Sequence, residues 1–174
     1  SLKRIESIVV KLPSRADFTK VRWTILRSCG LGTFIGILPA EGSTVAAIMG
    51  YNEAKRWSKN KEEFGKGTPE GIAGPEAANN AAAGGAMVPT LALGIPGSGT
   101  TAIILAALIM HGFRPGPYLM NETPHFIYAI FGAMLIANFM FLGIGLAGAK
   151  IFSRITLIPK TFLWPSVFVF SLVG

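Results

Sequence analysis

The sequence predicts an all-α membrane protein, a polytopic bundle of helices with a re-entrant hairpin and discontinuous helices. Composition is the first reason: of 174 residues, 51% are hydrophobic and only 14% are charged, whereas a soluble domain carries roughly a quarter charged residues. The mean hydropathy of +0.50 is the second. Third, Gly and Pro interrupt the apolar stretches, and irregular backbone at membrane depth persists only inside protein or against a water-filled cavity.

Basic residues are concentrated in the first part of the chain and flank its apolar segments. Twelve of the sixteen Lys and Arg precede Gly67. A nucleic-acid-binding protein also carries basic surface, but flanking charges of this kind are typical of the cytoplasmic side of a membrane protein. We therefore predict contact with the lipid bilayer and no nucleic-acid partner.

Cys29 is the only cysteine, so neither an intramolecular disulfide nor a thiol metal cluster is expected. The sequence suggests no metal site and no cofactor. The chain begins without Met and ends within an apolar run, and we expect it to be a fragment of a longer membrane protein.

The first half of the chain divides by charge. Residues 1–22 form a basic cytoplasmic leader, as a loop or a short interfacial helix. Residues 23–50 are long enough for one crossing of about 20 residues, but basic residues flank both ends. A re-entrant hairpin that turns at 38–42 keeps both flanks in the cytoplasm, and a single kinked or broken span is the alternative.

Residues 51–70 are predicted to form a basic cytoplasmic loop with a short amphipathic helix through Trp57. Residues 71–174 are predicted to form transmembrane helices that are truncated at the C-terminal end. The clearest spanning helix covers residues 126–149.

A short motif occurs twice: Pro39-x-x-Gly42 and Pro96-x-x-Gly99, each followed by hydroxyl-bearing and small residues. We interpret both as breaks that open a helix. The first N–H groups of a helix lack intrahelical partners, and the macrodipole is positive there. Broken helices of transporters bind carboxylates in this way.

The candidate substrate-binding residues lie at the two breaks and on the segment between them: Ser43, Thr44, Asn79, Asn80, Pro96, Gly97, Ser98, Gly99, Thr100 and Thr101. The alternative is that the hydroxyl groups only cap their own helices.

A carboxylate and two amides follow Pro75, which suits the first turn of a helix. Glu76 and Asn80 are four residues apart and share a helix face. Oxygen atoms of this kind suit a coupling Na⁺ or a proton, so the candidate coupling-ion residues are Glu41, Glu76 and Asn80. The alternative is that Glu76 only complements the dipole of a helix that starts at Pro75.

The stretch Gly94-Ile-Pro-Gly-Ser-Gly-Thr-Thr101 differs by one residue from a phosphate-binding P-loop, because Thr100 stands where the motif requires Lys. The single Asp of the chain, Asp17, lies in the basic leader and not where a Walker-B aspartate would hold Mg²⁺. ATP hydrolysis is therefore excluded.

Several pieces of the chain resemble, in order and spacing, the large membrane subunit of the tripartite tricarboxylate transporters. They cover roughly residues 25–120: Gly36-Ile-Leu-Pro39, Phe64-Gly-Lys-Gly67, Glu70-Gly71, Pro75-Glu-Ala-Ala-Asn-Asn80, Pro89-Thr-Leu-Ala-Leu-Gly-Ile-Pro-Gly-Ser98 and Pro115-Gly-Pro117. The chain departs from the family pattern at the first break: the family usually has Pro-Gly-x-Gly there, whereas Ala40 and Glu41 follow Pro39 in this chain. An acidic residue there would repel an anion.

The resemblance implies a multi-pass permease of the bacterial inner membrane that takes up tricarboxylates or related organic carboxylates. It also implies a small membrane subunit, a periplasmic solute-binding protein and an ion gradient as the energy source. A carboxylate and cation symporter subunit, and not an enzyme, is our first hypothesis. A membrane-embedded enzyme that uses Glu76 and Asn80 on a lipid-linked substrate is the alternative, and a structural membrane subunit is a third.

Overall fold

The computed structural model of the chain describes residues 14–39, 42–155 and 160–173. Within these ranges all regular secondary structure is helical, as predicted. The helices are α1 (Arg15–Ile37), α2 (Gly42–Trp57), α3 (Pro69–Leu93), α4 (Gly99–Met110), α5 (Pro117–Glu122), α6 (Pro124–Ile155) and α7 (Lys160–Val173), with a 3₁₀ turn at Lys61–Glu63. The described residues up to Tyr128 form one compact unit, and those from Ala129 onward belong to a second.

A capping box starts α1. The Ser14 hydroxyl oxygen accepts a hydrogen bond from the Asp17 N–H at 3.2 Å, and the Asp17 carboxylate accepts from the Ser14 N–H at 3.1 Å. The Ser14 hydroxyl also donates to the Asp17 carboxylate at 2.7 Å, and this bond, together with the one from the Ser14 N–H, holds the pKa of Asp17 below its usual value. Residues 15–22 of the predicted leader are therefore part of the same helix as the apolar stretch that follows, and residues 1–13 lie outside the described ranges.

The helices α1 and α2 are antiparallel, and both pack against α3. Thr24 of α1 and Ser58, just after α2, both donate hydrogen bonds to the carboxylate of Glu70, at 3.4 and 2.5 Å. At the other end of the pair, Ile35 and Ala46 pack into one buried cluster with α3. The chain therefore reverses direction between α1 and α2. A re-entrant position of this hairpin in the membrane stays a prediction.

The boundary predicted at residue 51 does not coincide with a helix end. The helix α2 continues to Trp57, so the predicted helix through Trp57 is the end of the second hairpin arm. The loop that follows packs back on α2, with the rings of Tyr51 and Phe64 edge to face at a centroid distance of 5.4 Å.

Four layers of residues, one helical turn apart, join α1, α3 and α2. A Cβ atom on Gly50 would lie 2.6 Å from the Ala78 Cβ, and a Cβ atom on Gly74 would lie 2.7 Å from the Ala54 Cβ. Small residues allow helix backbones to approach closely, as in membrane helix pairs. In this register the layers are Thr24–Glu70–Ser58, Ser28–Gly74–Ala54, Gly32–Ala78–Gly50 and Gly36–Ala82–Ala46.

The helix α6 contains the one described segment that is long and apolar enough to cross a bilayer. This segment, Pro124–Ala149, has 26 residues and a mean hydropathy of 2.1, and no residue of its most apolar stretch is buried. The helix α4 and the Thr161–Val173 part of α7 are apolar but shorter. A multi-pass arrangement for residues 71–174 stays a prediction.

Candidate functional site

The break between α3 and α4 is built by residues of both helices. The helix α3 ends where Gly94 adopts a left-handed conformation, with φ of 70°, which favours glycine. The chain then folds back, so that a Cβ atom on Gly97 would lie 2.8 Å from the Ala86 Cα atom. The buried hydroxyl of Thr90 donates to the Ala86 carbonyl at 2.6 Å and accepts from the Gly97 N–H at 3.3 Å.

Ser98 and Thr101 cap the start of α4 and use their hydroxyl groups to do so. The Ser98 hydroxyl oxygen accepts from the Thr101 N–H at 3.2 Å, and the Thr101 hydroxyl oxygen accepts from the Ser98 N–H at 2.8 Å. This reciprocal pair is a capping box. In this arrangement both hydroxyls serve the local helix start, which is the capping role that the sequence left open.

Two backbone donors remain at the same helix start. The N–H groups of Gly99 and Thr100 have no hydrogen-bond partner among the described residues. Both residues are exposed. Because the macrodipole of α4 is positive at this end, the two N–H groups form the part of the break that is available to an anion.

The first break also opens a helix at the glycine of its motif. The helix α2 begins at Gly42, whose φ is 67°, whereas α4 begins at Gly99 without a positive φ. Ser43 is half-buried and Thr44 is exposed. Glu41, a candidate coupling-ion residue, lies outside the described residues.

Both breaks lie beside the same part of α3. Shortly before the first break, Gly36 packs on Ala82, and a Cβ atom on Gly85 would lie 3.1 Å from the Gly36 Cα atom. Just after the second break begins, Gly97 packs on Ala86. The structure therefore brings the last turn of α1, just before the first motif, and the start of the second motif to adjacent turns of α3.

The carboxylate and amides after Pro75 lie further from the break. The prediction that a helix starts at Pro75 is wrong, because α3 begins at Pro69. Glu76 and Asn80 are exposed, and the Asn80 amide donates to the Glu76 carbonyl oxygen at 3.1 Å. Asn79 is half-buried and precedes Ala86 by two helical turns, on the same face of α3.

A polar cluster at the other end of α3 contains residues that the sequence did not single out as a site. Glu70, half-buried, accepts hydrogen bonds from Thr24 and Ser58, which are 2% and 6% exposed. These three residues line a cavity of about 660 Å³ between α1, the end of α2 and the start of α3. Only the fold brings them together, because Thr24 lies 46 residues and Ser58 12 residues from Glu70 along the chain.

Two proteins of Agrobacterium vitis are similar to this chain over most of its length. One, described as an uncharacterized 52.8 kDa protein in the TAR-I ttuC' 3' region, is 37% identical over 161 residues, which are 92% of this chain and 32% of that protein. The other, an uncharacterized protein in the TAR-II ttuC' 3' region, is 37% identical over 143 residues, 82% of this chain and 59% of that protein. The chain thus spans about a third to three fifths of the curated relatives that it matches.

No solved structure shows significant similarity to the chain. The sequence profile of one family, the tripartite tricarboxylate transporter TctA family, matches residues 2–174. The family is a transporter component and not an enzyme. The resemblance inferred from the motifs at residues 25–120 is therefore confirmed over nearly the whole length, and the chain belongs to the tripartite tricarboxylate transporter TctA family.

Proposed function

We propose that this chain is part of the large membrane permease of a tripartite transporter, and that the permease imports tricarboxylates or related organic carboxylates. An ion gradient supplies the energy. A periplasmic binding protein delivers the substrate, and a small membrane subunit completes the assembly in a bacterial inner membrane. The family membership supports the class of protein, and the second break supports the class of substrate.

The observation that carries the substrate class is the pair of N–H groups of Gly99 and Thr100. They lack partners among the described residues and stand at the positive end of α4. Backbone N–H groups in this position suit a carboxylate group. The neighbouring Ser98 and Thr101 contribute by fixing the helix start and not by direct contact.

The position of the first break supports a site between two helix ends. Gly36 and Gly97 pack on adjacent turns of α3, at Ala82 and Ala86. The start of α2, with Ser43 and Thr44, therefore belongs to the same region as the start of α4. A substrate with several carboxylates has enough anionic groups to contact both helix starts.

The sequence-based coupling-ion residues Glu41, Glu76 and Asn80 stay a prediction, as does the choice between Na⁺ and H⁺. Because Asn79 lies on the face of α3 that the second break covers, it is the residue of the amide pair that is better placed for substrate. Glu76 is exposed on the described unit and would need a further part of the full-length protein to bury it.

Uptake by the reconstituted transporter tests this proposal. The full-length permease and its small subunit are placed in proteoliposomes, and uptake of radiolabelled citrate and of short dicarboxylates is measured with and without the binding protein. Imposed Na⁺ and proton gradients are compared with no gradient. We expect uptake that requires both the binding protein and one of the two gradients.

Two outcomes would overturn the proposal. One is the absence of carboxylate uptake under either gradient when the binding protein is present and binds the same carboxylate. The other is uptake that needs ATP and ignores both gradients. Liposomes without the permease serve as the control for leakage.

A further inference from the structure

We propose that the polar cluster at the start of α3 binds a monovalent metal cation, Na⁺, between the Glu70 layer and the Ser28 layer. The inference deepens the proposed function, on which it rests, by assigning the coupling ion to residues other than Glu41, Glu76 and Asn80. The ligands are the Glu70 carboxylate and the hydroxyl oxygens of Thr24, Ser28 and Ser58.

The first support is the kind and burial of the oxygen atoms. Thr24 and Ser58 place their hydroxyl groups on the Glu70 carboxylate from two different elements, and both are almost completely buried. A hydroxyl oxygen that donates its proton to a carboxylate keeps lone pairs for a cation. Three oxygen-bearing side chains thus converge where α1, α2 and α3 meet.

The second support is Ser28, which is independent of the first. Its residue exposure is 0%, and its hydroxyl oxygen is buried without a hydrogen-bond partner among the described residues. A buried unsatisfied hydroxyl costs about 1–3 kcal/mol. Ser28 follows Thr24 by four residues on the same face of α1 and, in the register of the layers, lies opposite Gly74, which has no side chain.

The spacing of the two layers fits an ion between them. Successive layers are four residues apart, which is about 6 Å along a helix. Side chains of a helix lean toward its N-terminus, so the Ser28 side chain leans toward the Thr24 layer. An ion such as Ca²⁺, which has nearly the radius of Na⁺, binds oxygen at about 2.3–2.6 Å, so an ion between the two layers can contact oxygen atoms from both.

Charge favours a monovalent ion. Glu70 is the only carboxylate in the cluster, so one bound positive charge is balanced, whereas divalent-cation sites generally combine several carboxylates and carbonyls. The positive end of α3 and the negative end of α2 lie at the same place, so the two helix dipoles oppose each other there. The side chains that line the cavity leading to the cluster also carry no net formal charge. They include three acidic and three basic residues: Asp17, Glu63, Glu70, Lys20, Arg27 and Lys59.

Thermal unfolding of the purified full-length permease with its small subunit tests the site. NaCl is titrated against choline chloride at constant ionic strength, without carboxylate. We expect the wild type to show a saturable rise in Tm with Na⁺. Ser28→Ala should raise the half-saturating Na⁺ concentration at least tenfold with a near-normal Tm in choline, because Ser28 makes no hydrogen bond that the substitution would remove.

Glu70→Gln is the second variant, and it should abolish the Na⁺-dependent rise. The amide oxygen of Gln still accepts from the Ser58 hydroxyl, which favours folding. Glu62→Gln is the matched control, because Glu62 is exposed and does not line the cavity, and it should respond to Na⁺ like the wild type. The inference is overturned if the wild type shows no Na⁺-specific rise, if Ser28→Ala and Glu70→Gln keep the wild-type response, or if Glu62→Gln loses it.

The outcomes separate this site from the proposed function. Carboxylate uptake that a proton gradient alone drives, without Na⁺ stabilisation, refutes the site and leaves the transport proposal standing. Na⁺ stabilisation that depends on Ser28 and Glu70, without carboxylate uptake, supports the site and refutes the transport proposal.

Discussion

The hydroxyl oxygen of Thr90 accepts a hydrogen bond from the N–H of Gly97 at 3.3 Å, and this contact closes the break between α3 and α4. Thr90 is fully buried, and its hydroxyl proton goes to the Ala86 carbonyl. One side chain thus holds the chain after the break against the helix before it, and the helix start that carries Gly99 and Thr100 depends on it.

Thr90→Val should therefore destabilise the permease. The substitution leaves the Gly97 N–H without its partner in a buried place, at a cost of about 1–3 kcal/mol. Tm of the full-length protein should fall, and carboxylate uptake should fall with it. Thr90→Ser keeps the hydroxyl and should lie near the wild type; equal Tm values for Thr90→Val and the wild type would contradict this role.

The close contact of α1 with α3 predicts opposite effects for two adjacent glycines. A Cβ atom on Gly85 would lie 2.5 Å from the Thr33 carbonyl oxygen, whereas one on Gly84 would meet nothing within 4 Å. Gly85→Ala should lower the stability by about 1–3 kcal/mol, as overpacking does. Gly84→Ala should be neutral or stabilising, because Ala is the better helix former. Thermal unfolding of both variants checks this packing. A Tm for Gly85→Ala equal to or above that of Gly84→Ala would refute the close contact of Gly85 with α1.

Removing one backbone donor tests the anion site at the second break. Gly99→Pro deletes an N–H at the first position of α4, where Pro is favoured, and Ser98 already has the extended conformation that precedes Pro, with φ of −158° and ψ of 169°. A hydrogen bond to a charged group is worth about 1.5–3 kcal/mol. The KM for carboxylate uptake should thus rise about 10- to 100-fold.

The control for this experiment is Gly99→Ala, which keeps the N–H and places its Cβ in open space. It should retain a KM close to that of the wild type. Equal KM values for the Pro and Ala variants would show that this N–H does not contact the substrate.

The hairpin predicts the side of the membrane on which its ends are found. Lys20 and Lys59 line the same cavity, although one lies near the start of α1 and the other just after α2. Single-cysteine variants at these two positions, in a Cys29→Ala background, should react with a membrane-impermeant maleimide from the same side. The positive-inside rule assigns that side to the cytoplasm. Labelling from opposite sides would rule out the hairpin in the membrane.

The two breaks were predictable from the sequence because their determinants are local. Pro followed three residues later by Gly, with hydroxyl residues next, specifies where a helix ends and where the next begins. In the structure α2 and α4 begin at Gly42 and Gly99. The capping role of Ser98 was also among the sequence-based alternatives, since a cap depends only on residues within one turn.

The start of α3 and the polar cluster were not predictable, because their determinants are distant in sequence. Pro69 and Pro75 both suit the first turn of a helix, and Thr68 before Pro69 suits a cap. Glu70 contacts Ser58 and Thr24 in the fold, and these contacts favour the earlier start. Sequence spacing alone reveals neither contact, so the cluster was missed although Glu70 lies in a family motif.

The length of α3 sets how its two ends communicate. Glu70 and Thr90 are about 30 Å apart along one helix of 25 residues. At an effective dielectric constant of about 20, two unit charges at this distance interact by only about 0.6 kcal/mol. We expect ion binding at one end of α3 to affect the other end through movement of the whole helix. The contacts of α3 with α1 and α2 are made largely by glycine and alanine, so few large side chains resist sliding of the helix.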